Sequence, residues 1–295
     1  MSQPTDSESS PVSRLPSAGP LRISLVDFLN ARPLTWGLLH DPLPGVLVSH
    51  DVPSACADKL ASGEADVGLI PSIEYQRIPG LRIVSGLGIA AASEVRSVLL
   101  VSNVSREKIR SVSFDPASRT SSVLTQILLK RVYGLEPLYR EAEGGRREAK
   151  NEDPPPAAYR LPPAVQTDAR LVIGDPALKT RLNGQVVLDL AAEWRALSGH
   201  PFVFAFWAVA PGVSSAGLAK MLRRSYEAGR RQFSRLAREE AARTALSEPV
   251  IEDYLRHSLH YELDEGDLAG LDLFYRLAAE EGLIPRPRPL EYLRD

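Results

Sequence analysis

Hydroxyl and amide side chains gather at points of the sequence where a predicted strand ends or a predicted helix begins. Asn30 follows the first strand, Ser72 follows a later one, and the run 118–122 (Ser-Arg-Thr-Ser-Ser) opens a predicted helix. Such hydroxyls usually cap the helix, but free N–H groups at a helix start also bind carboxylates and phosphates. For Asn30, an Asx turn before Pro33 is the favoured interpretation from the residues alone. Two helix starts facing one cleft would suit a ligand with two acidic groups.

Metal and disulfide chemistry have little support in the sequence. Of five histidines only His257 and His260 are close together, and their spacing near a helix end suits the helix dipole. A metal site needs three or four converging ligands, so we predict none. The single cysteine, Cys56, excludes an intramolecular disulfide and a cysteine-rich zinc cluster.

The segment 86–91 (Gly-Leu-Gly-Ile-Ala-Ala) formally fits a dinucleotide-binding fingerprint, with Glu107 near the distance expected of a ribose-binding acid. That fingerprint requires a helix directly after the glycines, whereas a strand is predicted within a few residues. Phosphate-binding loops, paired zinc-binding histidines and nucleophile elbows are also missing from the sequence. We therefore predict no cofactor.

Charge and hydropathy favour a small-molecule ligand. The chain has 35 Lys and Arg against 37 Asp and Glu, a net charge of -2 that offers no case for nucleic acid or an anionic membrane. The longest apolar run, 202–210, is about half of the roughly 20 residues that a membrane helix needs. Because residues 1–20 lack the apolar stretch of a secretory signal, we expect a cytoplasmic protein.

Short apolar runs alternate with helix-like segments from residue 21 onward, which predicts largely parallel sheet covered by helices. The predicted strands are 21–26, 46–49, 67–69, 82–87, 95–102, 111–114, 171–173, 186–189 and 203–209. Helices are predicted over 54–62 and 121–133, each ending at a glycine. After residue 211 the pattern is helical only, with predicted helices over 215–236, 238–246, 249–259 and 267–281.

The two long apolar strands 95–102 and 203–209 bracket a middle section with its own strands and helix. This arrangement predicts an α/β protein of two lobes joined by two hinge strands, with a ligand cleft between the lobes. We assign 21–101 and 203–295 to lobe one, 102–202 to lobe two, and 1–20 to a loose tail. The charged, proline-rich stretch 141–166 is interpreted as a surface excursion of lobe two.

Several segments in this order resemble the chorismate dehydratase family of the futalosine route to menaquinone. The resemblance covers about residues 21–284 and rests most on the returning segment 189–207 (DLAAEWRALSGHPFVFAFW). The other matching motifs are FLNARPL (28–34), VPS (52–54), GEADVGLIPSIEY (63–75), SVLLVS (97–102), SRTSS (118–122) and IGDPA (173–177). The stretch 141–166 and the tail depart from the compact family pattern, but both lie outside the predicted cleft.

The resemblance implies a two-lobed fold similar to type II periplasmic binding proteins and the conversion of chorismate to 3-[(1-carboxyvinyl)oxy]benzoate and water. It implies catalytic roles for Asn30 and Ser97. It implies substrate binding by Ser72, Thr120, Ser121 and Asp175, with no cofactor or metal. Since no matched motif supplies a histidine or glutamate base, the enolpyruvyl carboxylate of the substrate is the expected proton acceptor. The identity of this base stays open.

Two alternatives remain at this point. One is the enzyme of similar fold in the same pathway that makes 1,4-dihydroxy-6-naphthoate. The Asn30 motif and the Glu193–Trp194 segment look more like the dehydratase. The other is a non-catalytic protein that binds a small anion, since similar folds serve both purposes. The sequence leaves the oligomeric state open.

Overall fold

The computed structural model describes residues 19–142, 167–180 and 184–293, and most of the predicted tail and of the predicted excursion lies outside these ranges. Its first sheet collects strands from both ends of the chain, in the order β2-β1-β3-β10-β4. β1 pairs in parallel with β2 and β3, whereas β10 runs antiparallel to β3 and β4. The strands are β1 (Leu21–Val26), β2 (Val46–Asp51), β3 (Val67–Pro71), β4 (Arg82–Ala91) and β10 (Phe202–Val209).

The second sheet is built from the middle of the chain, in the order β7-β6-β8-β5-β9. Its strands are β5 (Val98–Ser102), β6 (Ser111–Phe114), β7 (Leu138–Glu141), β8 (Ala169–Ile173) and β9 (Val186–Asp189). β7 has no counterpart among the predicted strands, because its side chains are mostly exposed and form no apolar run. β5 pairs with β8 and β9, so it belongs to this sheet and not, as predicted, to lobe one.

The helices of the described residues cover the two sheets and form the C-terminal section. They are α1 (Arg32–His40), α2 (Pro53–Ser62), α3 (Glu74–Arg77), α4 (Arg119–Tyr133), α5 (Asp175–Leu178), α6 (Leu190–Ser198), α7 (Leu218–Arg230), α8 (Phe233–Ala241), α9 (Glu248–Asp253) and α10 (Glu265–Glu280). α2 and α4 end, as predicted, at glycines in the left-handed conformation, Gly63 and Gly134. α1, α5 and α6 have no counterpart among the predicted helices.

Two differences from the predicted helices have local physical causes. Pro33 sits in the first turn of α1, where the missing N–H costs nothing, so the proline starts a helix and does not prevent one. The predicted helix 215–236 is divided at Arg231–Gln232 into α7 and α8. Near this break α7 approaches α1 so closely that a Cβ atom on Gly229 would lie 2.1 Å from the Pro33 carbonyl oxygen.

Two short segments, 92–97 and 199–201, connect the sheets. In the first, Arg96 has a φ of 61°, and one carboxylate oxygen of Asp189 accepts the N–H groups of Val95 and Arg96 at 3.0 and 2.6 Å. The other oxygen of Asp189 accepts the N–H groups of Ala191 and Ala192 at 3.1 and 3.2 Å and so caps α6. The Asp189 side chain therefore joins the connecting segment 92–97 to the start of α6.

Aromatic packing fixes the second connection. The indole N–H of Trp194 donates to the Pro201 carbonyl at 3.0 Å, and its ring makes edge contacts with Phe202 and Phe274. All three rings are buried. This cluster gives a structural reason for the aromatic residues of the returning segment.

No helix in the described part of the chain combines the length and the apolar character needed to cross a bilayer.

Candidate active site

The predicted cleft is present as a cavity between the two sheets. Its empty space, counted out into the open mouth, is about 580 Å³. Most of the lining is apolar, and the polar groups come from four side chains with hydroxyls, one amide and one guanidinium. These polar residues are Asn30, Ser97, Ser118, Arg119, Thr120 and Ser121.

Asn30 reaches the cavity from the turn that follows β1. It is the central residue of a 3-10 turn, Leu29–Ala31, that leads directly into α1. Its amide oxygen is buried and has no hydrogen-bond partner within the described residues. An unpaired buried polar atom costs stability, so this oxygen is available to accept a hydrogen bond from a molecule in the cavity.

Ser97 reaches the same cavity from the first connecting segment and is 1% exposed. Its hydroxyl oxygen accepts a hydrogen bond from the hydroxyl of Tyr254 at 2.8 Å. Its backbone carbonyl accepts the N–H of Gly174 at 2.8 Å, which holds the connecting segment against the second sheet. The serine therefore has a fixed backbone and a hydroxyl with one proton still available.

The start of α4 forms the opposite wall. The hydroxyl of Ser118, at the N-cap position, donates to the Asp115 carbonyl at 2.6 Å and caps no N–H group of the helix. Within the described residues, no acceptor meets the backbone N–H groups of Arg119, Thr120 and Ser121. Three free N–H donors at the positive end of a fifteen-residue helix can bind an anion.

Thr120 and Ser72 also tie the two lobes together. The Thr120 hydroxyl oxygen accepts the backbone N–H of Ile73 at 3.2 Å and lies 3.5 Å from the Ser72 hydroxyl. Ser72 is fully buried, and its hydroxyl donates to the Val203 carbonyl at 2.8 Å. It stands behind the residues that line the cavity, and the helix that follows it, α3, has only four residues. Substrate binding by Ser72 remains a prediction.

Arg119 gives the cavity a cationic side chain whose charge is already paired. Its guanidinium donates to Glu74 at 3.0 Å and to both carboxylate oxygens of Asp58 at 2.8 and 2.9 Å. Both acidic residues lie in lobe one, so Arg119 bridges the lobes at the start of α4. The sequence motifs assign Arg119 no role, although it stands inside the 118–122 motif. The signal that could have identified Arg119 is its position as a basic residue at a helix start predicted to bind an anion.

Asp175 lies behind the cavity and supports Asn30 from the other lobe. Its carboxylate accepts the backbone N–H of Leu29 at 3.0 Å, next to Asn30. Burial raises the pKa of Asp175 to about 6, and the nearby Glu240 acts in the same direction, while the Leu29 N–H and the cations Lys179 and Arg32 oppose the rise. The predicted substrate contact of Asp175 is untested, but its contact with the Asn30 turn is direct.

Asp175→Asn is expected to stabilise the protein at neutral pH and to leave it almost unchanged near pH 4. The folded-state pKa is raised, so the wild type loses stability as pH rises from about 4 to about 6, where the buried carboxyl must ionise. An amide keeps the acceptor for Leu29 without this cost. The gain above pH 7 should be about 2 to 3 kcal/mol. Urea unfolding of both proteins between pH 4.5 and 7.5 tests this, and parallel stability curves would refute it.

Within the described residues, neither the histidines nor the glycine motif 86–91 supplies a polar group to the cavity, although the apolar Ile89 of the motif lines it. His260 contacts Asp267 at 2.7 Å and His257 contacts Asp253 at 3.0 Å. Within the described residues, no histidine lines the cavity and no group of three or more potential metal ligands was found. Gly88 lies within β4, where a Cβ atom would come within 2.6 Å of the Ala205 carbonyl oxygen. This glycine serves strand packing.

The fold is that of the periplasmic binding proteins. A protein of Archaeoglobus fulgidus is similar with a TM-score of 0.65 at 16% identity, covering 90% of this chain and 99% of that one. The periplasmic aliphatic sulphonate binding protein of Escherichia coli gives 0.57 at 20%, with 95% of each chain covered. A Candida albicans protein with the generic periplasmic binding protein fold gives 0.53 at 9%, covering 94% and 98%. The predicted two-lobed α/β fold is thereby confirmed.

Within this fold, the chain belongs to the menaquinone biosynthesis family, which matches residues 21–280. It is 28% identical over 274 residues to the chorismate dehydratase of Thermus thermophilus, covering 86% of this chain and 94% of that protein. It is 29% identical over 186 residues to the chorismate dehydratase of Campylobacter jejuni, covering 61% and 63%. The family predicted from the sequence motifs is confirmed.

Proposed function

We propose that the chain is a chorismate dehydratase, a hydro-lyase that converts chorismate to 3-[(1-carboxyvinyl)oxy]benzoate and water for menaquinone biosynthesis. Family membership and the two chorismate dehydratase relatives support this function. The structural observation that carries it is the unpaired, buried amide oxygen of Asn30 at a cavity whose opposite wall is the free start of α4. One end of that site suits a polar reacting group and the other suits a carboxylate.

The reaction removes one proton and one hydroxyl group from adjacent ring carbons. The proton leaves the carbon that bears the enolpyruvyl ether, and the electron pair of that C–H bond spreads through the ring diene into the ring carboxylate. The neighbouring C–O bond then breaks, its electrons leave with the hydroxyl group, and that group takes up the proton to form water. The ring becomes aromatic, which drives the reaction, so only a modest base is needed.

Substrate capture is assigned to the start of α4. Chorismate carries two carboxylates, and the free N–H groups of residues 119–121 with the hydroxyls of Thr120 and Ser121 provide donors for one of them. The guanidinium of Arg119 adds a donor at the same wall, although its charge is balanced by Glu74 and Asp58. Binding therefore depends on oriented dipoles more than on an excess of positive charge.

Asn30 and Ser97 are assigned to the reacting region. Both line the cavity, and both are held by contacts that leave their polar groups available to a ligand. The amide of Asn30 can hold the departing hydroxyl or a carboxylate, and the Ser97 hydroxyl can donate to the charge that develops. Preorganised donors of this kind stabilise a transition state because they need no rearrangement when charge appears.

The base is proposed to be the enolpyruvyl carboxylate of the substrate. Within the described residues, the cavity lining includes no carboxylate and no histidine. The task of the protein is then to hold that carboxylate over the C–H bond, and positioning of this kind is a large source of rate enhancement. The partner is accordingly a small molecule, and we place the enzyme in the cytoplasm with no cofactor, metal or nucleic acid.

The deciding experiment mixes the purified protein with chorismate, without added metal or nucleotide. Loss of one water by mass spectrometry, together with a benzoate-type ultraviolet spectrum, is the expected result. Binding of chorismate without chemical change would instead indicate a binding protein. If the protein neither binds nor converts chorismate, the assignment moves to the naphthoate-forming relative.

A further inference from the structure

The hydroxyl of Tyr254 lies in the protein interior beside the candidate site. Tyr254 and Ser97 are each 1% exposed, and the tyrosine hydroxyl is 2.8 Å from the serine hydroxyl oxygen. Burial raises the pKa of Tyr254 well above its ordinary value, with smaller contributions from Asp175 and Asp189, while Ser97 and Arg96 lower it. The phenol therefore keeps its proton, and the geometry of the bond makes the Tyr254 hydroxyl the donor and the Ser97 oxygen the acceptor.

The direction of this hydrogen bond decides what Ser97 can do. A hydroxyl group has one proton and can accept through its lone pairs. Because Ser97 accepts from Tyr254, its own proton points elsewhere, and the described structure gives that proton no protein acceptor. Ser97 also lines the cavity, so a ligand there can accept this proton. Accepting one hydrogen bond also polarises the hydroxyl and strengthens the bond that it donates.

The position of Tyr254 depends on an unusual local backbone. The residue begins a π-helical turn, Tyr254–Ser258, that follows α9 and is directly followed by Leu259, which lines the cavity. The guanidinium of Arg96 donates to Asp253 at 2.6 Å and to Ser258 at 2.7 Å, which ties both ends of the turn to the segment carrying Ser97. Turns of this type are frequent at functional sites.

We propose that Tyr254 is a positioning residue that orients the Ser97 hydroxyl as a hydrogen-bond donor toward the substrate. The proposal rests on the dehydratase function given above, since Ser97 must touch the reacting region. It extends the site beyond the cavity wall, to a residue of the C-terminal helical section that does not contact the ligand. No motif in the sequence identified this residue.

Tyr254→Phe tests the proposal, because it removes one oxygen and keeps the buried ring. We expect kcat to fall about tenfold with KM nearly unchanged, as for loss of a single hydrogen bond that acts in the transition state. The matched control is Tyr261→Phe, which makes the same change at a buried tyrosine whose hydroxyl has no partner in the described structure. Its kcat should stay within about twofold of wild type, and thermal unfolding should show both variants folded.

A double-variant cycle separates orientation of Ser97 from general packing. If Tyr254 acts through Ser97, Tyr254→Phe will cause no further loss in kcat when added to Ser97→Ala. A full tenfold loss in that background would overturn the positioning role, and so would wild-type kcat for Tyr254→Phe alone. Failure of the wild-type protein to convert chorismate would overturn the dehydratase function as well. The two failures are therefore distinguishable.

Discussion

Asn30→Asp is expected to lower kcat for chorismate by about 10²- to 10³-fold while the protein stays folded. The size is that of losing one preorganised donor at a charge-developing centre. An aspartate cannot donate the hydrogen bonds of the amide, and its charge repels a substrate with two carboxylates. Within the described residues the Asn30 side chain makes no hydrogen bond, so replacing its NH2 group by an oxygen removes no protein contact. Steady-state kinetics with thermal unfolding measure both effects.

Asn103→Asp is the matched control for this experiment. Asn103 is exposed, and its side-chain oxygen accepts from Gln185 at 2.6 Å, a bond that an aspartate can still accept. Its kcat should equal that of wild type. Normal turnover by Asn30→Asp would remove Asn30 from the mechanism. A large drop in the unfolding temperature of Asn30→Asp would instead assign the residue a structural role.

Asp189→Ala is expected to cost at least about 3 kcal/mol of folding stability. The Asp189 carboxylate accepts four backbone N–H groups, two in the connecting segment 92–97 and two at the start of α6. Removing it leaves several donors of partly buried backbone without an acceptor, and each costs roughly 1 kcal/mol or more. It also releases Arg96 from a left-handed backbone conformation that only a fixed surrounding maintains. Urea unfolding gives the free-energy difference.

Two further variants define what the stability loss of Asp189→Ala means. Asp189→Asn keeps one acceptor oxygen and should lose clearly less stability than the alanine variant. Asp272→Ala removes a carboxylate from an exposed position of α10 and should change stability by less than about 0.5 kcal/mol. Equal losses for Asp189→Ala and Asp272→Ala would contradict the assigned role of Asp189.

Apolar periodicity was sufficient to predict most of the sheets. Buried strands such as β3 and β5 consist of uninterrupted apolar runs, and each predicted strand overlaps an observed one. β7 escaped prediction because its residues are exposed, and α1 because its proline resembles a turn signal. The assignment of β5 to lobe one was wrong because strand pairing across the chain is a tertiary property that local pattern does not encode.

The candidate site was predictable in part. Asn30, Ser97, Thr120 and Ser121 were named from motifs, and all four line one cavity, although their roles are still untested. Tyr254 could not be found in this way, because one tyrosine in a helical segment reads as core until its hydroxyl is located beside Ser97. Asp175 was named as a substrate contact, yet its observed bond is to backbone. Long-range contacts between single side chains leave no periodic signal.

The bond between Asp175 and Leu29 crosses from one lobe to the other. A protein with its lobes apart would keep the anion-binding start of α4 but would lose the support that holds the Asn30 turn. Capture of the substrate and competence for chemistry would then be consecutive states of the protein. The start of α4 would first select ligands by their negative charge, and closure of the lobes would then select among them by shape. A ligand that prevents closure would be released unreacted.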